Sequence, residues 1–110
     1  MEFSVKNQVV VISTLTDHVA DLTQQLLDNK EHWQDYHVIL DLQECSLSHE
    51  LIYEALTPLF RDHNAQKKSF VLVDKVDRLK NYPEDLSAAP THEEAFDLIE
   101  MEEIERDLGF

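Results

Sequence analysis

The side chains best suited to chemistry lie in one short stretch, Glu44-Cys45-Ser46-Leu47-Ser48-His49-Glu50. Cys45 or Ser48 would supply a nucleophile, and His49 a general base, for covalent catalysis. Neighbouring residues of a chain rarely face each other as a nucleophile and its base must. Carboxylates close to Cys45 would also raise the pKa of its thiol and make it less reactive. We therefore predict that the protein is not an enzyme and has no catalytic residue.

Metal and nucleotide motifs are missing from the sequence. None of the histidines forms an H-E-x-x-H motif, and His49-Glu50 is only its first half. A D-x-D-x-D-G calcium loop cannot be written, and the single glycine, Gly109, rules out a glycine-rich phosphate loop. We predict no cofactor, no metal and scattered surface histidines. A metal-binding protein or an enzyme is kept as an alternative. The histidines are His18, His32, His37, His49, His63 and His92.

Ser48 is better placed as a helix cap than as a nucleophile. It follows the predicted strand around Val38-Ile39-Leu40 and precedes a predicted helix, where a serine oxygen accepts an amide hydrogen bond. A phosphate at such a position would meet the helix amides and the positive end of the helix dipole. Ser48 is therefore a candidate phospho-acceptor.

The charge of the chain restricts its partners. The formal net charge is -14, from 23 acidic against 9 basic residues. Such a charge repels nucleic acids and anionic lipids, so we predict no direct nucleic-acid or membrane contact. The acids concentrate in a predicted C-terminal helix over about residues 91–108, whose outer side could meet a cationic protein surface. The candidate partner-binding residues are Glu100, Glu102, Glu103, Glu105 and Asp107.

The apolar pattern alternates between strand and helix along the chain. Val9-Val10-Val11-Ile12 follows a turn-like Lys6-Asn7-Gln8 and predicts a hairpin or an entering strand. The runs around Val38-Ile39-Leu40 and Phe70-Val71-Leu72-Val73 are typical of strands covered on both faces. The stretch from Lys75 to Ala89 is predicted to be a loop with a turn of helix and a brief edge strand at its end. Strands that alternate with helices favour a mostly parallel α/β sheet.

Two amphipathic helices connect the strands. The first is predicted from Val19 as far as Trp33 by its apolar spacing. The second carries a broad apolar stripe that predicts a deeply buried helix, with either a kink near Thr57 or a restart that uses Thr57 as cap and Pro58 as first residue. The stripe consists of Leu51, Ile52, Ala55, Leu56, Leu59 and Phe60.

The last helix has a well-marked start. Thr91 and Glu94 have the spacing of a capping box. An apolar stripe then predicts the side that packs on the protein's own sheet or, by exchange between two copies, on a second chain in a homodimer. The stripe consists of Ala95, Leu98, Met101, Ile104 and Leu108, with Ile99 beside it.

Length and composition predict one domain over residues 1–110. The sequence has no spanning apolar segment and no signal-peptide pattern at its start, so a cytoplasmic location is expected.

Three segments resemble the STAS domain, named for sulfate transporters and anti-sigma-factor antagonists. They are "VILDLQECSLSHELIYEAL", "KKSFVLV" and "APTHEEAFDLI", and the resemblance covers nearly the whole chain. In that family a strand ending in Asp-Leu leads to a D-S-x-G-L motif at a helix start. A basic segment precedes the next strand, and P-T-x-x-E-A opens the last helix. Asp41-Leu42, Lys67-Lys68 and the segment from Pro90 to Ala95 fit this layout.

The resemblance implies a STAS-like α/β fold with about four or five strands and about three or four helices. It also implies a non-enzymatic regulatory module that binds a protein partner such as an anti-sigma-factor-like kinase, which would phosphorylate Ser48. The motif departs from the family at two positions, with Leu47 in place of Asp and Glu50 in place of Gly.

The C-terminal "EMEEIERDLGF" resembles the ending of small STAS-like bacterial proteins that tend to be encoded beside ribonuclease Z. This resemblance implies, as an alternative function, an accessory or regulatory partner of an RNA-processing enzyme. In that role the acidic helix would contact a basic enzyme surface.

Overall fold

The computed structural model describes residues 1–109, which form one five-stranded sheet and four α-helices. In chain order the elements are β1 (Glu2–Lys6), β2 (Val9–Ser13), α1 (Val19–Asp28), β3 (His37–Asp41), α2 (His49–Ala65), β4 (Phe70–Val73), α3 (Val76–Leu79), β5 (Ala88–Ala89) and α4 (His92–Asp107). A one-turn 3-10 helix, Lys30–His32, follows α1. The predicted mostly parallel α/β sheet, with its brief edge strand before the last helix, is confirmed.

The chain opens with a tight hairpin. Asn7 and Gln8 connect β1 to β2 with positive φ angles of 54° and 66°. Two such residues in succession are typical of the turn whose twist matches that of the flanking strands. The antiparallel pair of β1 and β2 then joins a sheet that is otherwise parallel, in the order β1-β2-β3-β4-β5.

The strand order determines where the helices lie. Because the parallel strands follow one another in chain order and crossovers are right-handed, α1 and α2 must cover the same face of the sheet. The helix after the last strand has no such constraint. In the structure α4 packs on the other face, against β3, β4 and β5.

The two faces of the sheet have separate cores. Alternate residues such as Val38 and Leu40 point toward α1 and α2, while Ile39 and Val71 point toward α4. Both sets are fully buried, which explains why the strands are apolar without alternation. The core beneath α1 and α2 is the larger one and includes Trp33 and Phe60.

The first helix is shorter than predicted. It ends at Asp28, and Trp33 lies beyond the 3-10 turn. Trp33 is nevertheless buried, and its indole N–H donates to the carbonyl of Leu26 at 2.9 Å. The apolar spacing therefore identified Leu22, Leu26 and Trp33 correctly as buried, although Val19 is half-buried and Leu27 is exposed. The backbone between Leu26 and Trp33 changes from an α-helix to a 3-10 turn.

The second helix is continuous through Pro58, so the predicted restart at this residue is wrong. Just before the proline, the Thr57 hydroxyl donates to the carbonyl of Tyr53 at 2.5 Å. The buried side of α2 is narrower than predicted, because Ile52, Leu56 and Phe60 are buried whereas Leu51 is exposed.

The last helix starts as predicted but packs through a different side. The Thr91 hydroxyl accepts the amide proton of Glu94 at 3.1 Å, which is one of the two bonds of the predicted capping box. Only Ala95 and Ile99 are buried along α4. The rest of the predicted stripe turns partly or fully to solvent: Leu98, Met101, Ile104 and Leu108. The prediction that this stripe packs on the protein's own sheet was wrong, because the second half of α4 contacts the rest of the protein through polar side chains. Packing of the stripe on a second chain stays a prediction.

Candidate functional site

Ser48 lies where the predicted cap was expected, at the start of α2. Its hydroxyl accepts the amide proton of Leu51 at 3.3 Å, and the residue is exposed to solvent. The carboxyl ends of the parallel strands β2, β3 and β4 meet at this edge of the sheet. Ser48 is therefore an accessible hydroxyl at a helix N-terminus, the geometry in which an added phosphate gains most from backbone amides.

The loop that carries Ser48 is fastened to the end of β4 by an arginine. Arg78 donates to the carbonyl of Cys45 at 3.3 Å and also to the carbonyl of Leu47. Its Nε lies 3.4 Å from the carboxylate of Asp74, which is completely buried. Asp74 also accepts the hydroxyl proton of Tyr82 at 2.6 Å. The buried acid thus has several partners, as a buried charge requires.

Burial and the hydrogen bond to Asp74 raise the pKa of the Tyr82 phenol. Tyr82 therefore stays protonated and continues to donate to Asp74 across the physiological pH range. The cluster of Asp74, Arg78 and Tyr82 holds the loop from one side, and sequence reasoning missed it. Arg78 and Tyr82 lie within the stretch that was predicted to be a polar loop, and Asp74 comes directly before it, where no periodic pattern indicates burial.

A second set of bonds fastens the same loop to the segment after β2. The Cys45 thiol donates to the carbonyl of Thr14 at 3.3 Å, and the Ser46 hydroxyl donates to Asp17 at 2.8 Å. Burial, and then the nearby carboxylates of Asp17 and Asp74, raise the pKa of the Cys45 thiol. Cys45 therefore acts as a buried anchor and is poorly suited to be a nucleophile.

Exposed apolar side chains lie on the three segments that these bonds bring together. Leu15 follows β2 and is 73% exposed, Leu51 lies in the first turn of α2 and is 47% exposed, and Val76 begins α3 and is 73% exposed. We call Leu15, Ser48, Leu51 and Val76 the Ser48 face. Leu15 and Val76 belong to no periodic pattern, so the sequence did not indicate that their segments would be bonded to the loop that carries Ser48.

The charges beside Ser48 are mostly negative. Glu44 and Glu50 are exposed, and Glu50 lies 3.8 Å from His49. On the far side of the edge, the Asp41 carboxylate lies 2.7 Å from the ring of His92, which begins α4. A phosphate on Ser48 would gain the amides of α2 but would add to a negative local field.

The predicted partner-binding acids of α4 divide into two groups. Glu102 accepts the Ser87 hydroxyl proton at 2.5 Å, and Glu103 pairs with His37. These two carboxylates make contacts within the molecule, and their contact with a partner stays a prediction. Glu100, Glu105 and Asp107 are exposed. The base in the last turn, Arg106, donates to the hydroxyl of Ser69 at 2.9 Å.

His37 and His63 are buried, contrary to the prediction of scattered surface histidines. Nδ1 of His37 accepts the amide proton of Ser69 at 2.9 Å, so Nε2 carries the proton and donates to Glu103. Burial lowers the pKa of His37 below its ordinary value of 6.5, although Glu103 opposes that shift. Lys68 and Arg106 lower it further.

His63 lies at the C-terminal end of α2, where its Nε2 donates to the carbonyl of Tyr36 at 2.6 Å. Burial lowers the pKa of His63, and the bond to Tyr36 opposes the shift.

Within residues 1–109, no three histidine, cysteine or acidic side chains are arranged to hold a metal ion. No helix in the same part of the chain is both long and apolar enough to cross a membrane.

A five-stranded, mostly parallel sheet with a terminal hairpin, two helices on one face and a closing helix on the other is a STAS-like fold. The comparisons with solved structures agree. One similar structure is that of a Thermotoga maritima protein described as an anti-sigma factor antagonist, with a TM-score of 0.69 and 12% identity over 90% of this chain and 93% of that one. Another is a serine-to-glutamate variant of RsbS from Moorella thermoacetica, with a TM-score of 0.67 and 14% identity over 91% of this chain and 94% of that one.

No protein-family model and no curated protein sequence matches the chain. At these identities the two structural likenesses establish the fold alone.

Proposed function

We propose that this protein is a non-enzymatic regulatory module of the cytoplasm that binds a protein partner through the Ser48 face, and that phosphorylation of Ser48 weakens this binding. The partner we infer is a serine kinase of the anti-sigma-factor type. It would bind the unmodified module and phosphorylate it.

One observation carries the proposal: the loop that ends at the exposed capping serine is bonded to two other segments, and all three segments carry exposed apolar side chains. Exposed apolar side chains that cluster on one surface mark protein-binding sites more often than single ones do. The bonds of Arg78 and Cys45 hold the loop before a partner arrives, so little ordering free energy is lost on binding.

Electrostatics explains why phosphorylation of Ser48 would weaken partner binding. Phosphorylation would place a charge of about -2 in the middle of an apolar contact and beside Glu44 and Glu50. Desolvating that charge against a partner is costly, whereas in the free module the amides of α2 stabilise it. The modification would therefore favour the free state over the bound state.

The comparisons support this proposal at the level of the fold. Both similar structures are of proteins described as anti-sigma factor antagonists or as RsbS, and each aligns with about nine tenths of this chain. The departures at Leu47 and Glu50 concern the residues around Ser48, so the phosphorylation step needs a direct test.

That test uses purified kinase of the anti-sigma-factor type from the same organism, ATP and mass spectrometry. We expect the peptide that contains Ser48 to gain one phosphate. Ser48→Ala should abolish the gain, whereas Ser46→Ala, a matched change in the same loop, should leave it intact. An unmodified Ser48 peptide, or a phosphate on Ser46 instead, would refute the switch.

The binding surface is tested separately, with the same kinase and isothermal titration calorimetry. Leu51→Asp combined with Val76→Asp should weaken binding by about tenfold or more, because each change places a charge in the apolar contact. Leu27→Asp on α1, whose side chain is as exposed as that of Leu51, is the control and should bind normally. Equal binding by all three proteins would remove the Ser48 face from the proposal.

The alternative, an accessory role beside an RNA-processing enzyme such as ribonuclease Z, stays a prediction. The exposed acids Glu100, Glu105 and Asp107 support it, since they could meet a basic enzyme surface. Co-sedimentation of the protein with purified ribonuclease Z at low salt would test it, with the corresponding three-amide variant as control.

A further inference from the structure

The outward side of α4 carries an apolar strip that no part of residues 1–109 covers. Met101 is 56% exposed, Ile104 57% and Leu108 67%. Their spacing places them on one side of the helix, roughly opposite the buried Ala95 and Ile99. A helix normally buries such a strip, so its exposure calls for a partner.

The strip continues into a groove at the edge of the sheet. Leu98 and Met101 line this groove together with the edge strand β5 and Pro90, and its volume is about 320 Å³. The groove walls are mainly apolar. We call the groove and the strip together the α4–β5 surface, which consists of Ala88, Ala89, Pro90, Leu98, Met101, Ile104 and Leu108.

Acidic side chains surround the α4–β5 surface. Glu94 and Asp97 line the groove itself. Glu105 lies beside the strip by helical spacing, and Glu100 and Asp107 lie on its other side. All five are exposed. Arg106 faces inward to Ser69 and does not offset them. The surface therefore combines an apolar centre with a negative border.

We propose that the α4–β5 surface binds an amphipathic basic helix of a partner protein. The apolar ridge of such a helix would lie along Leu98, Met101 and Ile104, and its lysines or arginines would meet the surrounding carboxylates. A second copy of this chain is a poorer occupant, because it would bring one acidic border against another at a net charge of -14 per chain.

This inference goes beyond the proposed regulatory role, because the α4–β5 surface includes no residue of the Ser48 face. A partner could therefore occupy it whatever the state of Ser48.

The test uses a synthetic 18-residue peptide with leucine at the a and d positions of a heptad and lysine elsewhere. A peptide of the same composition with scrambled order and a peptide with glutamate in place of lysine are the controls. In two-dimensional NMR spectra of the labelled protein, the lysine peptide should shift the amide signals of α4 and of residues 88 and 89. Shifts spread evenly over the molecule, or equal binding of the scrambled peptide, would overturn the proposal.

Matched variants separate the apolar and the charged contributions. Met101→Ser with Ile104→Ser should weaken peptide binding by about tenfold or more, whereas Val5→Ser with Leu27→Ser, which also changes two exposed apolar residues, should not. Asp97→Asn with Glu105→Gln should weaken binding at low salt and reduce its salt dependence. Glu54→Gln on α2 is the charge control.

Two further measurements test whether the two surfaces are independent and whether the protein is a dimer. Leu51→Asp with Val76→Asp should bind the peptide normally, so that failure of the Ser48 face and failure of the α4–β5 surface remain distinguishable. Light scattering should show a monomer for the wild type. A dimer that Met101→Ser with Ile104→Ser dissociates would show that a second copy occupies the surface, and the proposal of a basic helix would then be wrong.

Discussion

Helices α2 and α4 are similar in length and cover opposite faces of one sheet, but different kinds of contact hold them there. Helix α2 buries Ile52, Leu56 and Phe60 in the larger core. Helix α4 buries only Ala95 and Ile99. Its second half is held by three polar contacts: Glu102 with Ser87, Glu103 with His37, and Arg106 with Ser69.

The difference explains how a helix can pack on its own sheet and still present an apolar side to solvent. Because polar side chains make the inner contacts in the second half of α4, Met101, Ile104 and Leu108 are not needed for packing. Helix α2 instead buries its apolar side, and the partner contact proposed for it involves mainly its N-terminal end, at Ser48. The two proposed binding surfaces therefore use different parts of the helices, the N-terminal end of α2 and the outer side of α4.

The largest expected effect is on the free energy of unfolding, which should respond differently to a substitution in α2 and one in α4. Leu56→Ala removes a fully buried side chain and should lower the free energy of unfolding by about 2–5 kcal/mol, through lost burial and the cavity left behind. Met101→Ala should change it by less than about 0.5 kcal/mol, because the side chain is more than half exposed. Urea denaturation followed by circular dichroism measures both. A large loss in Met101→Ala would show that the outer side of α4 is packed, contrary to the structure.

The sheet and the N-terminal ends of α2 and α4 could be predicted from the sequence. Runs such as Val38-Ile39-Leu40 are apolar on both faces, which only a covered strand needs, and Ser48 and Thr91 have the residue types and spacing of caps. These signals are local: each depends on residues that are close together in the chain. For the same reason the brief edge strand β5 and the turn of helix in α3 were predictable, whereas their tertiary contacts were not.

The packing side of α4 could not be predicted, because its contacts join residues far apart in the chain. Glu103 and His37 are separated by 66 positions, and Arg106 and Ser69 by 37. The sequence alone shows an acidic helix with an apolar stripe. Apolar periodicity then predicts that this stripe faces the sheet, whereas in the structure another side of the helix does. The Ser48 face was missed for a related reason: Leu15 and Val76 are isolated apolar residues until Cys45 and Arg78 bring their segments together.

The two buried histidines, one of which contacts α4, should also give the protein a dependence on pH. The pKa values of His37 and His63 are lowered in the folded state by burial, so between those values and the ordinary 6.5 the unfolded chain binds more protons. The contribution of these two histidines to the free energy of unfolding should therefore be fully present above about pH 6.5 and should decrease as the pH falls below it. Each histidine contributes a slope of at most about 1.4 kcal/mol per pH unit.

Urea denaturation at a series of pH values between 5 and 7.5 tests this dependence. His37→Gln should reduce the slope of the free energy of unfolding against pH, and the slope that remains should be due to His63. His32→Gln, which changes a largely exposed ring, should retain the full slope. A slope that is the same in wild type and His37→Gln would mean that the buried ring beside α4 does not titrate differently on folding.

The smallest expected effect compares two acids that lie two positions apart on α4. Glu103→Gln replaces the carboxylate that accepts the His37 proton by a neutral amide, which should cost about 1 kcal/mol at pH 7 because a charged acceptor is stronger than an amide. The Glu103 side chain is about half exposed, which keeps the cost at the lower end of the range for charged hydrogen bonds.

Glu105→Gln changes a carboxylate that faces solvent and should leave the free energy of unfolding within about 0.5 kcal/mol of the wild-type value. If the two variants were equally stable, the contact between Glu103 and His37 would contribute nothing to the attachment of α4. Burial of Ala95 and Ile99, together with the bonds of Glu102 to Ser87 and of Arg106 to Ser69, would then have to hold the helix.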